Sequence, residues 1–202
     1  MRFLAIDTSG RHLSVIAYQE GRVEKTFLSD CALQHSVRLM DEIDGVFARA
    51  QMSPKDCDFF AVVVGPGSFT GIRIGISTVK GLSFSCDKPV VALTSFDCIA
   101  YTEKDAPVLA LIDAGHCFYY ACGYDAEKNI AVEPAYRSKE EVDELIAKGF
   151  APRSVEALSE YQIVDPCEGL LRAAIEKSKN STAASALTAL YLRKSSAEEN
   201  RK

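Results

Sequence analysis

The chain has 202 residues, 48% hydrophobic and 25% charged, with 28 acidic against 23 basic side chains and a formal net charge of −5; that supplies one sizeable core or two small ones without disulfide staples. The charges are scattered, with no basic stripe to argue for unaided binding to phosphate backbones, and no apolar run approaches the roughly 20 residues of a membrane span. The seven cysteines, at positions 31, 57, 86, 98, 117, 122 and 167, form no C-x-x-C pair and read as reduced thiols.

No charged region followed by a long apolar run opens the chain, so a cytoplasmic protein without membrane contact is expected. Residues 2–6 read as a short apolar strand ending in the turn Asp7-Thr8-Ser9-Gly10. Strands over 12–18 and 23–28, joined at Glu20-Gly21, complete a meander. Val37, Met40, Ile43, Phe47 and Ala50 recur every three or four positions, the spacing of one face of a helix. Ser53-Pro54 starts a short helical turn, and the valine-rich run 59–64 suits a strand buried on both faces. It leads into Gly65-Pro66-Gly67-Ser68, where Ser68 caps a helix over 69–85, followed by a strand at 90–93.

A polar stretch at 103–107 marks a boundary between a first domain, 1–103, and a second, 107–182, with segment 183–202 packing back on the first. Beyond it come a strand at 108–112, a turn at 113–115, strands at 117–124 and 130–136, and a helix opened by a Ser138/Glu141 capping box and closed at Gly149. An amphipathic helix over 167–177, an apolar segment 183–192 and a polar, loose tail 195–202 finish the chain.

Phe3-Leu4-Ala5-Ile6-Asp7 aligns with Leu109-Ala110-Leu111-Ile112-Asp113, an offset of 106 residues (113 less 7), and each copy is followed by two strands and a helix. This duplicated βββα unit resembles the actin-like ATPase (ribonuclease H-like) superfamily, in which the acidic turn after the first strand faces nucleotide phosphates and metal. Asp is also simply good turn chemistry.

Further motifs narrow the resemblance. Ala5-Ile6-Asp7-Thr8-Ser9, Gln34-His35-Ser36, the segment GPGSFTGIRIG from Gly65 to Gly75 with Lys80-Gly81-Leu82 after it, and Tyr191-Leu192-Arg193 are together similar to the TsaB (YeaZ) family. Asp113-Ala114-Gly115 departs from the family, which carries a basic residue after its Asp-Ala. The resemblance implies an α/β protein of two lobes with the second shortened, a non-catalytic paralogue of the threonylcarbamoyltransferase TsaD. It implies pairing with TsaD, joined by the ATPase TsaE, in making threonylcarbamoyladenosine at position 37 of transfer RNA. It also implies a homodimer when TsaD is missing, and contact with transfer RNA only through the complex.

The resemblance carries over no catalytic residue. His35 stands where a first metal histidine of TsaD would fall, but the i+4 position is Leu39, so no metal is expected. The metallopeptidase label of some relatives loses its histidine pair by the same argument. No G-x-S-x-G elbow or Walker A sequence is present. A small-molecule kinase or ATPase is the alternative, for which the second lobe is short. Asp7, Thr8, Ser9, Gly65, Gly67 and Ser68 form a candidate site for weak ATP or ADP binding, with no cofactor required, since the loop precedes a helix N-terminus. The glycines equally permit a sharp turn. Candidate partner-interface residues are His35, Leu39, Met40 and Ile43 on the first helix and Gly71, Ile74, Gly75, Thr78 and Leu82 on the second. Two glycines on one helix face suggest a close backbone approach, from the protein's own sheet or from another subunit.

Overall fold

The computed structural model describes residues 1–158 and 161–192. Strands β1 (Arg2–Asp7), β2 (Leu13–Gln19), β3 (Arg22–Leu28), β4 (Phe59–Val63) and β5 (Val90–Leu93) form a first sheet in the order β3-β2-β1-β4-β5. β1 pairs antiparallel with β2 and parallel with β4, which pairs parallel with β5. Because successive side chains of a strand point to opposite faces, β1 sends Leu4 and Ile6 to one core and Phe3 and Ala5 to another. Helices α1 (His35–Ala50) and α2 (Phe69–Cys86) cover the first of these, contributing Leu39, Ile43, Phe47, Ile72 and Val79.

The second sheet comprises β6 (Val108–Gly115), β7 (Phe118–Tyr124), β8 (Ile130–Ser138), β9 (Ala151–Ser154) and β10 (Gln162–Ile163), in the order β10-β9-β6-β7-β8. β6 holds the central position that β1 holds in the first sheet, with two antiparallel strands on one side and two parallel ones on the other. The sequence repeat is therefore a repeat of topology, and the chain is an α/β protein of two lobes. Helix α3 (Ser95–Ala100) lies between the lobes, and α4 (Lys139–Ala147) packs Val142 and Leu145 on the outer face of the second sheet.

Four features depart from the sequence reading. The acidic turn of the second lobe is not at 113–115: β6 continues to Gly115 with a shift of register, and the chain reverses at His116-Cys117, both at positive φ (55° and 62°) as a two-residue hairpin turn requires. Helix α3 went unpredicted although a Thr94/Asp97 capping box opens it. The stripe predicted on α1 is rotated. Leu39, Ile43, Val46, Phe47 and Ala50 face the core, while Val37 (71% exposed) and Met40 (49% exposed) face outward. Both rows are apolar, so periodicity alone does not fix the phase.

The fourth departure is at the C-terminal side. Helix α5 (Pro166–Glu176), capped by Asp165, packs Leu170, Ala173 and Ala174 on Phe3, Ala5 and Ile16 of the first sheet. The chain thus returns to the first lobe at Pro166, not at residue 183, because the second face of the first sheet needs this cover. Gly169 permits the approach, since a Cβ there would collide with the carbonyl of Cys98 on α3. Further on, Thr182 and Val90 exchange main-chain hydrogen bonds of 2.8 Å, Leu187 is buried, and the Leu190 N–H donates to the Val64 carbonyl at 2.8 Å. The tail 195–202, and Arg193 of the Tyr-Leu-Arg motif, lie outside the described residues. No helix among the described residues is long and apolar enough to cross a membrane.

Candidate functional site

The first candidate site is the cleft between the lobes, about 350 Å³ in volume, where the ends of β1 and β6 face each other. At its floor the Asp7 carboxylate is fully engaged. Its Oδ1 accepts from the Ser9 N–H at 2.8 Å and the Ser9 hydroxyl at 2.7 Å, and its Oδ2 lies 3.1 Å from His12 Nε2. Ser9 Oγ also lies 3.0 Å from Ser95 Oγ, which donates to the Pro66 carbonyl at 2.7 Å. Asp113, still within β6, accepts from the N–H of Gly115 at 2.8 Å as Asp7 does from Ser9, and Glu156 lines the cleft beside it from the loop after β9.

Burial alone would raise the Asp7 carboxyl, but the neighbouring His12 charge and the hydrogen bonds from His12 and Ser9 outweigh it and hold it below its ordinary value of 3.8. Burial likewise opposes the His12 cation, and Asp7, with a smaller push from Glu156, overcomes it and raises the imidazole above 6.5. Burial and the adjacent Asp113 push Glu156 up, partly offset by His12 and Arg11.

Of the six predicted cofactor residues, Asp7, Ser9, Gly67 and Ser68 line the cleft. Thr8 is wholly buried under α2, donating its hydroxyl to the Gly71 carbonyl at 2.7 Å. Gly65 (φ 113°) is packed against the C-terminal segment, where a Cβ would lie 2.6 Å from the Leu190 carbonyl oxygen. Two donors at the start of α2 are spent within the chain: the Ser68 N–H donates to the Ser9 carbonyl at 2.7 Å and the Gly71 N–H to Ser68 Oγ at 3.2 Å. The fold class implies a nucleotide with its metal, and these residues do not fit one. Both Asp7 oxygens are held by the chain itself, and the other acids facing the cleft are Asp113 and Glu156. Among the described residues, no group of three or more His, Cys, Asp or Glu side chains is placed to hold a metal ion. His35 is buried at the start of α1 with Nε2 2.9 Å from the His12 carbonyl, and Leu39 above it is in the core.

The second candidate site is the outer face of α1 and α2, which hold between them a groove of about 570 Å³ bordered by Ser36, Met40, Phe69, Arg73, Ile74 and Thr78. Phe69 stacks on Tyr191 at 4.9 Å, and the Arg73 guanidinium lies 3.8 Å over the Phe69 ring while its Nε donates to the Tyr191 hydroxyl at 3.2 Å. Among the predicted interface residues, Met40, Ile74, Thr78 and Leu82 reach the surface at least in part. His35, Ile43, Gly71 and Gly75 do not; they are buried within the lobe, and Leu39, 1% exposed, floors the groove. The close backbone approach inferred from the two glycines is to the protein's own β1 turn, since a Cβ on Gly71 would collide with the Thr8 carbonyl, while one on Gly75 would lie 2.6 Å from the Thr8 side-chain Oγ1. Sequence reasoning passed over Val37, Phe69, Arg73 and Tyr191 on this face and His12, Ser95 and Glu156 in the cleft. Phe69, Arg73 and Tyr191 fall inside the motifs already singled out, whereas nothing local marks Glu156.

Two sheets of one topology, enclosing a cleft between acidic strand ends, define a two-lobed α/β protein of the actin-like, ribonuclease H-like class. Residues 29–162 match the family model described as TsaD, tRNA N6-adenosine threonylcarbamoyltransferase. The chain is 36% identical over 116 residues to the tRNA threonylcarbamoyladenosine biosynthesis protein TsaB of Bacillus subtilis, covering 56% of this chain and 51% of that one. It is 32% identical over 133 residues to the Escherichia coli protein of the same name, covering 64% and 57%. The chain spans about half the length of the curated relatives it matches. A solved structure of YeaZ from Pseudomonas aeruginosa superposes with a TM-score of 0.78 at 26% identity, covering 95% of this chain and 99% of that one. The chain belongs to this threonylcarbamoyltransferase-related family and, within it, to the TsaB (YeaZ) group.

Proposed function

We propose that this chain is a non-catalytic subunit in the biosynthesis of threonylcarbamoyladenosine at position 37 of transfer RNA. It works in the cytoplasm by pairing its α1–α2 face with a TsaD-type transferase, which TsaE joins, and it meets transfer RNA only through that assembly. In the absence of the transferase the same face pairs two copies of the chain. The observation that carries the reading is the groove between α1 and α2, where Met40, Phe69 and Ile74 stand among polar side chains, with Val37 bare on the same helix. Apolar surface gathered on one polar-rimmed face is characteristic of a protein contact. The relatives' names, which place them in threonylcarbamoyladenosine biosynthesis, support the pathway.

The chemistry of the cleft supports a non-catalytic role. Asp7 is neutralised internally, and His35 spends its Nε2 on a main-chain carbonyl with no second histidine one turn along. No cofactor is required. The test is complementation. A bacterium depleted of its own TsaB regains threonylcarbamoyladenosine in its transfer RNA, measured by mass spectrometry, when this chain is expressed with its cognate transferase. Absence of the modified nucleoside despite soluble expression of both would contradict the reading.

A further inference from the structure

The groove between α1 and α2 carries a single charge. Among the described residues that line it, Arg73 is the only charged side chain; the others are apolar, as Met40, Phe69 and Ile74 are, or carry a hydroxyl, as Ser36, Thr70 and Thr78 do. Among the described residues no carboxylate pairs with Arg73. The acids of α1 are placed elsewhere. Glu42 is held by Arg38 at 2.7 Å, and Asp41 and Asp44 are exposed outside the groove lining.

Arg73 is nevertheless held in place. Its guanidinium lies 3.8 Å from the centre of the Phe69 ring, and its Nε donates to the Tyr191 hydroxyl at 3.2 Å. Tyr191 stacks on Phe69 with 4.9 Å between ring centroids, and its neighbour Leu190 ties this segment to the end of β4 through the N–H given to the Val64 carbonyl at 2.8 Å. With Nε engaged and one face on the ring, the terminal nitrogens remain as a planar fork, the geometry that meets a carboxylate in a bidentate pair. Much of the side-chain freedom that an exposed arginine loses on binding is therefore already absent from the free chain.

We infer that Arg73 sets which partner this face takes: it favours the transferase, through a carboxylate presented to the groove, over a second copy of the chain. The inference rests on the pairing proposed above. Any protein that covers the groove takes Arg73 out of water, and a buried cation without a counter-charge is strongly destabilising, so the favoured partner brings an acid. A second copy brings none from its own groove, because a two-fold pair sets the same face against itself and that lining holds no carboxylate. The same cation therefore strengthens one complex and weakens the other, the device by which a face discriminates between related partners.

The test uses the full chain with its cognate transferase in sedimentation velocity, self-association of the chain alone by the same method, and thermal melting to confirm folding. Arg73→Gln weakens binding to the transferase by about tenfold or more and tightens self-association. Arg73→Lys, which keeps the charge without the fork, falls between the native chain and Arg73→Gln in both measurements. Both variants melt with the native chain, since Arg73 is exposed. Raising the salt concentration narrows the difference between native and Arg73→Gln in transferase binding. A native chain that does not bind the transferase overturns the pairing itself and the inference with it. Transferase binding that Arg73→Gln leaves intact overturns the inference alone. So does self-association that Arg73→Gln leaves unchanged or weakens, the outcome in which Asp41 or Asp44 of the copy meets Arg73.

Discussion

A Cβ on Gly71 would collide with the carbonyl oxygen of Thr8, and at the same contact the Thr8 hydroxyl donates to the Gly71 carbonyl at 2.7 Å. The glycines of the GPGSFTGIRIG segment thus seat α2 against the turn that ends β1. Gly71→Ala is expected to destabilise the isolated chain by about 1–3 kcal/mol or more, as overpacking does. Gly75→Val, meeting Thr8 Oγ1 and Val62, behaves likewise. Urea unfolding checks both: the midpoint falls in each, and the loss is of fold stability, not of association alone.

The two rows of α1 separate stability from association. Leu39→Ala, in the core at 1% exposure, should cost about 2–5 kcal/mol. Met40→Glu, at 49% exposure, should leave the melting temperature within experimental scatter and weaken binding to the transferase about tenfold or more, close to 1.4 kcal/mol. Sedimentation velocity and circular dichroism on the same samples distinguish the two.

The Asp7–His12 pair sets a pH window. The His12 value is raised, so its contribution is complete below 6.5 and is lost as pH rises through its folded value above that. The Asp7 value is lowered, so its contribution is present above 3.8 and is lost as pH falls through its folded value below that. Stability from this pair is therefore greatest between those two ordinary values and declines on the alkaline side. Denaturant midpoints measured across the neutral range should show the alkaline decline in the native chain and a flatter profile in His12→Gln.

Asp97 joins three parts of the molecule. It is 1% exposed, its Oδ1 lies 2.7 Å from Lys177 Nζ and accepts from the Tyr124 hydroxyl at 2.9 Å, and its Oδ2 caps the Thr94 N–H at 2.7 Å. Asp97→Ala removes the counter-charge of a partly buried lysine and a helix cap together. A loss of about 3–5 kcal/mol is expected, read as a lowered thermal midpoint.

Much of this architecture is legible in the sequence because it is local or repeated. The Asp7 and Asp113 strands, offset by 106 residues, announce two copies of one unit, and each carboxylate does accept from the main-chain N–H two residues on. The Ser138/Glu141 box and the Ser68 cap lie where residue chemistry puts them. What escapes is set by tertiary contact. Position 37 is as apolar as position 39, so only the sheet beneath decides the phase of α1. Glu156 reaches the cleft from a loop 144 residues beyond His12 (156 less 12), and no spacing predicts that meeting. The C-terminal helix has an ordinary amphipathic pattern, and the vacant face of the first sheet assigns it to that lobe.

In the proposed assembly the α1–α2 face serves a transferase that this chain activates without chemistry of its own. Reconstitution in vitro tests it most directly: cognate TsaD and TsaE, transfer RNA and threonylcarbamoyl adenylate, with no addition, with the native chain, or with Met40→Glu. The account predicts modified adenosine only when the native chain is present, none from that chain alone, and a much reduced yield with the variant. Equal modification in all three mixtures would contradict it.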